Sequence, residues 1–204
     1  TDTTSPYSCS FDTTTVADGL YDLRALSTDN AGNTATSATV TNRRVDNTAP
    51  TASDIQTTNG GVTVGRPETN DAVTFIYSEQ ILSTSILAGW SGASTAVTVR
   101  INNTGANDRL EVWDAANAAR LPLTNTFAGL NNNYVTADTT FTATMVQSGA
   151  SITVTLVALT GGTVQTDATT GTLSWTPSAT ATDLAGNPCS TTAATESGAA
   201  DTDF

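Results

Sequence analysis

The chain has 204 residues and is strongly acidic, because 19 aspartates and glutamates oppose 7 arginines and neither lysine nor histidine occurs. The net charge of -12 repels phosphate and anionic lipid, which argues against nucleic acid and membrane surfaces as partners. Without histidine and lysine, His-dependent triads, His-based zinc sites and Schiff-base chemistry are excluded. No apolar run approaches the ~18 residues of a membrane span, so no membrane insertion is expected in this segment.

Short runs of alternating apolar and polar residues follow one another along the chain, as half-buried strands require, and abundant threonine favours the same pleated surfaces. In the first run, residues 19–25, the side chains of Tyr21, Leu23 and Ala25 share one face. Later runs share faces made by Val73, Phe75 and Tyr77; Val97, Val99 and Ile101; Phe141, Ala143 and Met145; Ile152, Val154 and Leu156; and Leu173 with Trp175. Only residues 83–87 suggest a helical turn. The pattern predicts an all-β chain.

Turn-forming residues separate these runs. Residues 102–108 contain Gly105 and residues 147–150 contain Gly149, each between two alternating runs. Glycine supplies the positive φ that tight turns need, so both segments predict antiparallel hairpins.

One pattern occurs twice and suggests the domain organisation. Residues 25–33 end in Asp29-Asn30-Ala31-Gly32-Asn33, and residues 179–187 end in Asp183-Leu184-Ala185-Gly186-Asn187. We therefore expect the same hairpin corner in two places. The polar, proline-containing stretch 46–51 lies between them and is typical of a linker between stacked domains. The predicted domains are residues 1–48 and 49–204.

Several segments resemble known extracellular modules. Residues 18–25, 29–33 and 45–50 resemble the immunoglobulin-like (Ig-like) repeats of large bacterial surface and adhesin-type proteins. Residues 73–79 and 183–187 resemble the longer Ig-like domains of surface-layer and cell-wall proteins. The resemblance implies antiparallel Ig-like β-sandwiches in tandem, and it makes Tyr21 a candidate tyrosine corner whose hydroxyl bonds back to nearby backbone. A full sandwich takes about seven strands, so the segment before Thr48, with about three, is an incomplete one.

Two cysteines lie near opposite ends of the chain, without the CxxC spacing of a metal or redox site. Cys9 and Cys189 are disulfide candidates, since an extracellular setting permits such bonds. They either pair with each other, pair outside this chain or remain free.

Calcium is the one cofactor that the acidic loops suggest, because hard cations prefer carboxylate and amide oxygens. The candidate ligands are Asp29, Asn33, Asp183 and Asn187 in the repeated pattern, and Asp46 at the domain junction. The alternative is a structural turn, in which Asp and Asn cap their own backbone and glycine supplies the positive φ. The spacing of an EF-hand loop is absent, which favours the turn.

Tryptophan suggests one further kind of site. Trp90, between Gly89 and Ser91, is the tryptophan expected to be exposed, and it is a candidate for stacking on a sugar ring, whereas Trp113 and Trp175 are expected to pack at a corner and in the core. The four glutamates show no pairing of the kind that a glycosidase needs, so no catalytic residue is predicted.

These features together predict a non-enzymatic, structural module of an extracellular bacterial surface protein. It would serve as a stalk repeat, or as a subunit of a fibre or filament in which copies complete one another's sheets by strand addition. Its partners would be neighbouring Ig-like modules or copies of itself. The alternative is a carbohydrate-binding accessory module of a secreted enzyme, with Trp90 in its site.

Overall fold

The computed structural model describes residues 2–204, which divide into two compact units between Thr48 and Ala49. Strands in both units pair antiparallel, and the described residues contain one α-helical turn and one 3-10 turn. The prediction of an all-β, antiparallel chain is therefore confirmed at that level.

The first unit is a long, interrupted hairpin. Its strands are β1 (Gly19–Leu23), β2 (Leu26–Thr28), β3 (Thr34–Thr36) and β4 (Val40–Val45). The inner pair, β2 with β3, and the outer pair, β1 with β4, are nested, so the chain runs out through β1 and β2 and returns through β3 and β4. A bulge interrupts the outer pair, where Asn42 has a φ of 57° and its N–H donates to Asp22 Oδ1.

The strands of this first unit bury almost nothing. No residue of β1, β2 or β3 is buried, and only Tyr21 among them is half-buried. Leu20 and Leu26 are each 67% exposed, and Leu23 and Val40 are exposed as well. Of the apolar face predicted for residues 19–25, Tyr21 is half-buried, Leu23 is exposed, and Ala25 is exposed between β1 and β2.

The second unit is one large sheet. Its elements are β5 (Ala52–Thr58), β6 (Ala72–Tyr77), α1 (Ser83–Ile86), β7 (Thr95–Asn102), β8 (Arg109–Asp114), β9 (Ala128–Gly129), β10 (Val135–Ser148), β11 (Ser151–Val164), β12 (Ser174–Trp175) and β13 (Ala194–Thr195). The strands follow the order β13-β12-β9-β8-β7-β10-β11-β6-β5. Residues 102–108 and 147–150 connect neighbouring strands of this sheet, as the turn residues predicted.

Alternating residues of these strands fill the core. Val73, Phe75 and Tyr77 of β6 are each at most 2% exposed, and the corresponding faces of β7, β10 and β11 are buried in the same way. Trp175 lies at the centre, with its ring 5.1 Å from the ring of Phe75 and 4.9 Å from that of Tyr77, both edge to face. Edge-to-face aromatic packing stabilises such a core beyond the burial of area alone.

Polar contacts join the two ends of the sheet and nearly close it. The Asp54 carboxylate on β5 accepts from the N–H and the hydroxyl of Ser197, which follows β13, each at 2.8 Å. The Asp54 carbonyl accepts from Trp175 Nε1 on β12 at 3.1 Å. Because residues from the β13 end of the sheet bond to Asp54 on β5, the strand at the other end, neither β5 nor β13 is a simple open edge.

Candidate functional sites

The repeated pattern forms the same turn twice. Asp29 Oδ1 accepts from the N–H groups of Ala31 and Asn33, and Asp29 Oδ2 accepts from Asn33 Nδ2. Asp183 makes the corresponding three bonds to residues 185 and 187, at 2.8 Å each. Glycine with positive φ follows in both loops, 89° at Gly32 and 95° at Gly186.

These bonds explain the Asp-x-Ala-Gly-Asn pattern without a cation. Each carboxylate satisfies backbone N–H groups that a tight loop would otherwise leave unpaired, and glycine supplies a backbone conformation that other residues rarely adopt. The bonds from Asn33 hold the pKa of Asp29 below its usual value. In both loops the carboxylate therefore accepts hydrogen bonds from its own loop, as the structural-turn alternative predicts.

Asp46, the candidate calcium ligand at the domain junction, belongs to the first unit and forms an ion pair there. Arg44 Nη2 donates to Asp46 Oδ2 at 2.7 Å, and Arg44 Nε donates to the same oxygen at 3.1 Å. The arginine side chain is largely exposed, so solvent screens this pair and it contributes little to stability.

Tyr21 forms the local bond of a tyrosine corner. Its hydroxyl donates to the Ala17 carbonyl at 2.7 Å, four residues upstream, and so ties the start of β1 to the segment that precedes it. Asp18 reinforces this corner by accepting from the Asn47 N–H at 2.7 Å, which joins the segment before β1 to the end of β4.

Both cysteines are free thiols. Cys9 is exposed, whereas Cys189 is 3% exposed within the core of the second unit. Burial, with a smaller effect of the neighbouring Glu79 carboxylate, raises the pKa of Cys189 to about 11. A buried thiol that stays protonated is a poor nucleophile, so Cys189 acts as a core residue.

The expectation that Trp90 is exposed is wrong. Trp90 is 5% exposed, and its Nε1 donates to the Ala93 carbonyl within the loop that follows α1. Trp90 belongs to the hydrophobic core of the second unit, which is why it is buried although its neighbours in sequence are small. It also lines a recess of about 260 Å³ together with Leu87, Ser91 and Thr95. Trp113 is half-buried with the Arg100 guanidinium 3.5 Å from its ring centre.

Two fully buried aspartates, Asp71 and Asp108, hold loops together, and no motif in the sequence singled them out. Asp71 Oδ1 accepts from Gly60 and Gly61 N–H, and its Oδ2 accepts from Glu68 N–H at 2.6 Å. Asp108 Oδ2 accepts from the N–H groups of residues 134 and 135 at 2.7 and 2.8 Å. The excess of aspartate over glutamate was the available signal, since the short side chain suits bonds to nearby backbone.

Three more carboxylates lie close together where the β13 end of the sheet approaches β5, a region that we call the seam of the sheet. Oxygens of Glu196, Asp201 and Asp203 lie within 4.8 Å of one another, and Asp203 is completely buried. Asp203 accepts from the Thr57 hydroxyl at 2.8 Å and from the Tyr134 hydroxyl at 3.2 Å. Burial first, and then the neighbouring carboxylates, raise the pKa of Glu196 to about 7. Burial raises the pKa of Asp203 to about 6.

A polar recess of about 400 Å³ opens beside β8 and β9. Arg109 and Phe127 lie on its wall, with the guanidinium carbon 4.2 Å from the centre of the phenyl ring. Asn107, Asn131 and Ser174 line the remainder with amide and hydroxyl groups. No pattern in the sequence marked these residues, because they come from distant parts of the chain.

Comparison of the chain with protein-family models, with curated proteins and with solved structures gave no significant match. Among the described residues, no helix has the length and apolar character to cross a membrane.

Proposed function

We propose that the chain is a structural, non-enzymatic piece of an extracellular bacterial surface protein, built from Ig-like β-sandwich modules in tandem. The observation that carries the proposal is the first unit, a nested hairpin whose leucines are exposed. A two-stranded hairpin without a covered apolar face is marginally stable in water. This unit therefore has the character of half a sandwich that needs a facing sheet.

A facing sheet could come from either of two sources. In a stalk, strands of the same parent chain that precede this segment complete the module. In a fibre, a second copy supplies them by strand addition, which turns an incomplete sandwich into an assembly device. Both arrangements bury the face of β1 that carries Tyr21 and Leu23, at roughly 1.5–3 kcal/mol for each large apolar side chain that becomes fully buried.

The chemistry of the described residues supports a role without catalysis. The buried carboxylates of Asp71 and Asp108 are occupied by backbone N–H groups, and the buried thiol of Cys189 is protonated at neutral pH. The proposed role needs no cofactor, no nucleic acid and no membrane insertion.

Hydrogen exchange combined with light scattering tests the proposal on the full chain. For a fibre subunit, we expect concentration-dependent assembly in electron micrographs and slow amide exchange in residues 19–45 of the assembled form. For a stalk piece, we expect a monomer whose residues 19–45 exchange quickly while the core of the second unit is protected. A monomer in which residues 19–45 are as protected as the core would show a complete module and contradict the proposal.

Matched substitutions separate the two arrangements. Leu26→Asn removes an exposed apolar side chain from β2, whereas Val62→Asn removes one that is 95% exposed in a loop of the second unit. In a fibre, Leu26→Asn reduces assembly and Val62→Asn leaves it unchanged. Equal effects of the two variants would mean that assembly does not use the first unit.

A further inference from the structure

Arg109, on β8, keeps its hydrogen-bond donors free in a chain that has few cations. Within residues 2–204, its guanidinium makes no ion pair and no hydrogen bond. Among the other arginines of the second unit, Arg100 and Arg120 donate to oxygens of neighbouring loops. Arg66 pairs with Glu68 at 3.8 Å, although its buried Nε makes no hydrogen bond. A guanidinium carries five N–H donors, so Arg109 has capacity for an external acceptor.

Phe127 holds this cation in place. The guanidinium carbon of Arg109 is 4.2 Å from the ring centre, within the range of a favourable cation–π contact. Such a contact uses the ring face and leaves the N–H groups available. Arg109 therefore packs on the Phe127 ring, and its N–H groups face solvent, where they can exchange water for an acceptor on a ligand.

The recess in front of Arg109 offers neutral hydrogen-bonding groups. Amides of Asn107 and Asn131 and the hydroxyl of Ser174 line it, and no lining residue is acidic. A Cβ at Gly129 would lie 2.9 Å from Ser174 Oγ, so glycine at this position leaves space beside that hydroxyl. In a unit dominated by carboxylates, this surface therefore presents one cation among uncharged donors and acceptors.

We propose that this recess binds a sugar that carries a carboxylate, such as a uronic acid, with Arg109 pairing to the carboxylate. A guanidinium matches a carboxylate in a bidentate geometry, and amides and hydroxyls match the ring hydroxyls of the sugar. The volume of about 400 Å³ is in the range of small-ligand sites. The inference goes beyond the structural role, since it gives the second unit a binding activity that does not depend on assembly of the first.

Nuclear magnetic resonance of the full, ¹⁵N-labelled chain tests the site directly. The probes are D-glucuronate, methyl β-D-glucoside as its neutral counterpart, acetate as the carboxylate alone, and inorganic phosphate. We expect glucuronate to shift the resonances of the Arg109 Nε–H and of the side-chain amides of Asn107 and Asn131. The affinity for the glucoside and for phosphate is expected to be at least about tenfold lower than the affinity for glucuronate. Acetate is expected to shift Arg109 alone. Absence of these shifts with glucuronate, or equal binding of phosphate, would overturn the proposal.

Two asparagines provide a matched pair of variants. Asn131 and Asn117 both have positive φ, 60° and 58°, and aspartate tolerates that conformation. Asn131→Asp places a negative charge in the recess, whereas Asn117→Asp adds the same charge elsewhere and still accepts from Arg100 Nε. We expect at least a tenfold loss of glucuronate binding for Asn131→Asp and little change for Asn117→Asp. Equal losses of glucuronate binding in the two variants would show that the effect comes from the net charge of the chain, and they would refute the site.

Arg109→Gln provides an independent check should Asn131→Asp fail to fold. It removes the cation from an exposed position on β8 and keeps a hydrogen-bonding side chain. We expect glucuronate and acetate binding to disappear while the melting temperature stays within a few degrees of the parent chain. Retention of glucuronate binding by a folded Arg109→Gln variant would exclude the proposed pairing.

Discussion

Replacing Glu196 by glutamine is expected to stabilise the second unit at pH 8 and to change its stability little at pH 4. The Glu196 side chain is buried among Asp54, Asp201 and Asp203, and burial together with these carboxylates raises its pKa from 4.5 to about 7. A carboxyl whose pKa is higher in the folded state contributes stability below its unfolded pKa, and that contribution is lost as the pH rises through about 7. Glutamine is neutral at every pH, so the Glu196→Gln variant does not lose stability through ionisation of this side chain as the pH rises.

The size of the effect follows from the shift in pKa. Each pKa unit corresponds to about 1.4 kcal/mol, and solvent near the seam screens part of the interaction, so we expect a gain of about 1–3 kcal/mol at pH 8. For a unit of this size, that corresponds to roughly 2–10 °C in melting temperature. The bond from Leu173 N–H to Glu196 Oε2 can be kept by the glutamine carbonyl oxygen.

Thermal melts of the full chain at pH 4, 5, 6, 7 and 8, followed by circular dichroism and calorimetry, measure this effect. Glu111→Gln is the matched control, because it removes one negative charge outside the cluster and keeps an acceptor for Trp113 Nε1. The expected result is a gain for Glu196→Gln that grows from pH 5 to pH 8 and is absent in Glu111→Gln. A gain of the same size at every pH, or an equal gain in the control, would refute the reasoning.

Three other predictions concern polar groups and thiols. Asp183→Ala should destabilise the second unit by about 1–3 kcal/mol in chemical denaturation, because the Asp183 side chain is buried and its loss leaves part-buried loop N–H groups without an acceptor. Asp29→Ala, in the exposed copy of the turn, should have a smaller effect, and equal losses would contradict the role of burial. Asp71→Asn should cost about 2 kcal/mol or more, since an amide cannot accept from N–H groups at both positions, and a neutral result in urea denaturation would show that the loop rearranges. Maleimide should label Cys9 in the native chain and Cys189 only after unfolding, as followed by mass spectrometry; rapid native labelling of Cys189 would mean that the core opens.

Much of the second unit could be predicted from local sequence. The alternation at Val73, Phe75 and Tyr77 gave the buried face of β6, because side chains of a strand point to opposite sides in turn. The repeated Asp-x-Ala-Gly-Asn pattern indicated a common turn, because all its bonds are made within five residues. Short-range chemistry of this kind does not depend on the rest of the fold.

Site residues were harder to predict, because burial and proximity are properties of the assembled sheet. Small neighbours in the sequence made Trp90 a candidate for exposure, yet it is 5% exposed and belongs to the core of the second unit. Glu196 and Asp203 gave no signal as a pair, although the closure of the sheet brings their carboxylates together. Arg109 on β8 and Ser174 on β12 are 65 residues apart in sequence, yet they line the same recess because β9 pairs with both strands.

The sequence by itself determined that this chain is acidic, rich in antiparallel strands and without the histidine and lysine of common catalytic sites. It also determined the two matching turns, since their hydrogen bonds are local. Only the tertiary structure decided which carboxylates lie buried together, whether Trp90 is buried and which residues surround Arg109 at the recess. The physical reason is that alternation and turn chemistry act over a few residues, whereas desolvation and charge crowding arise when distant strands close into one sheet.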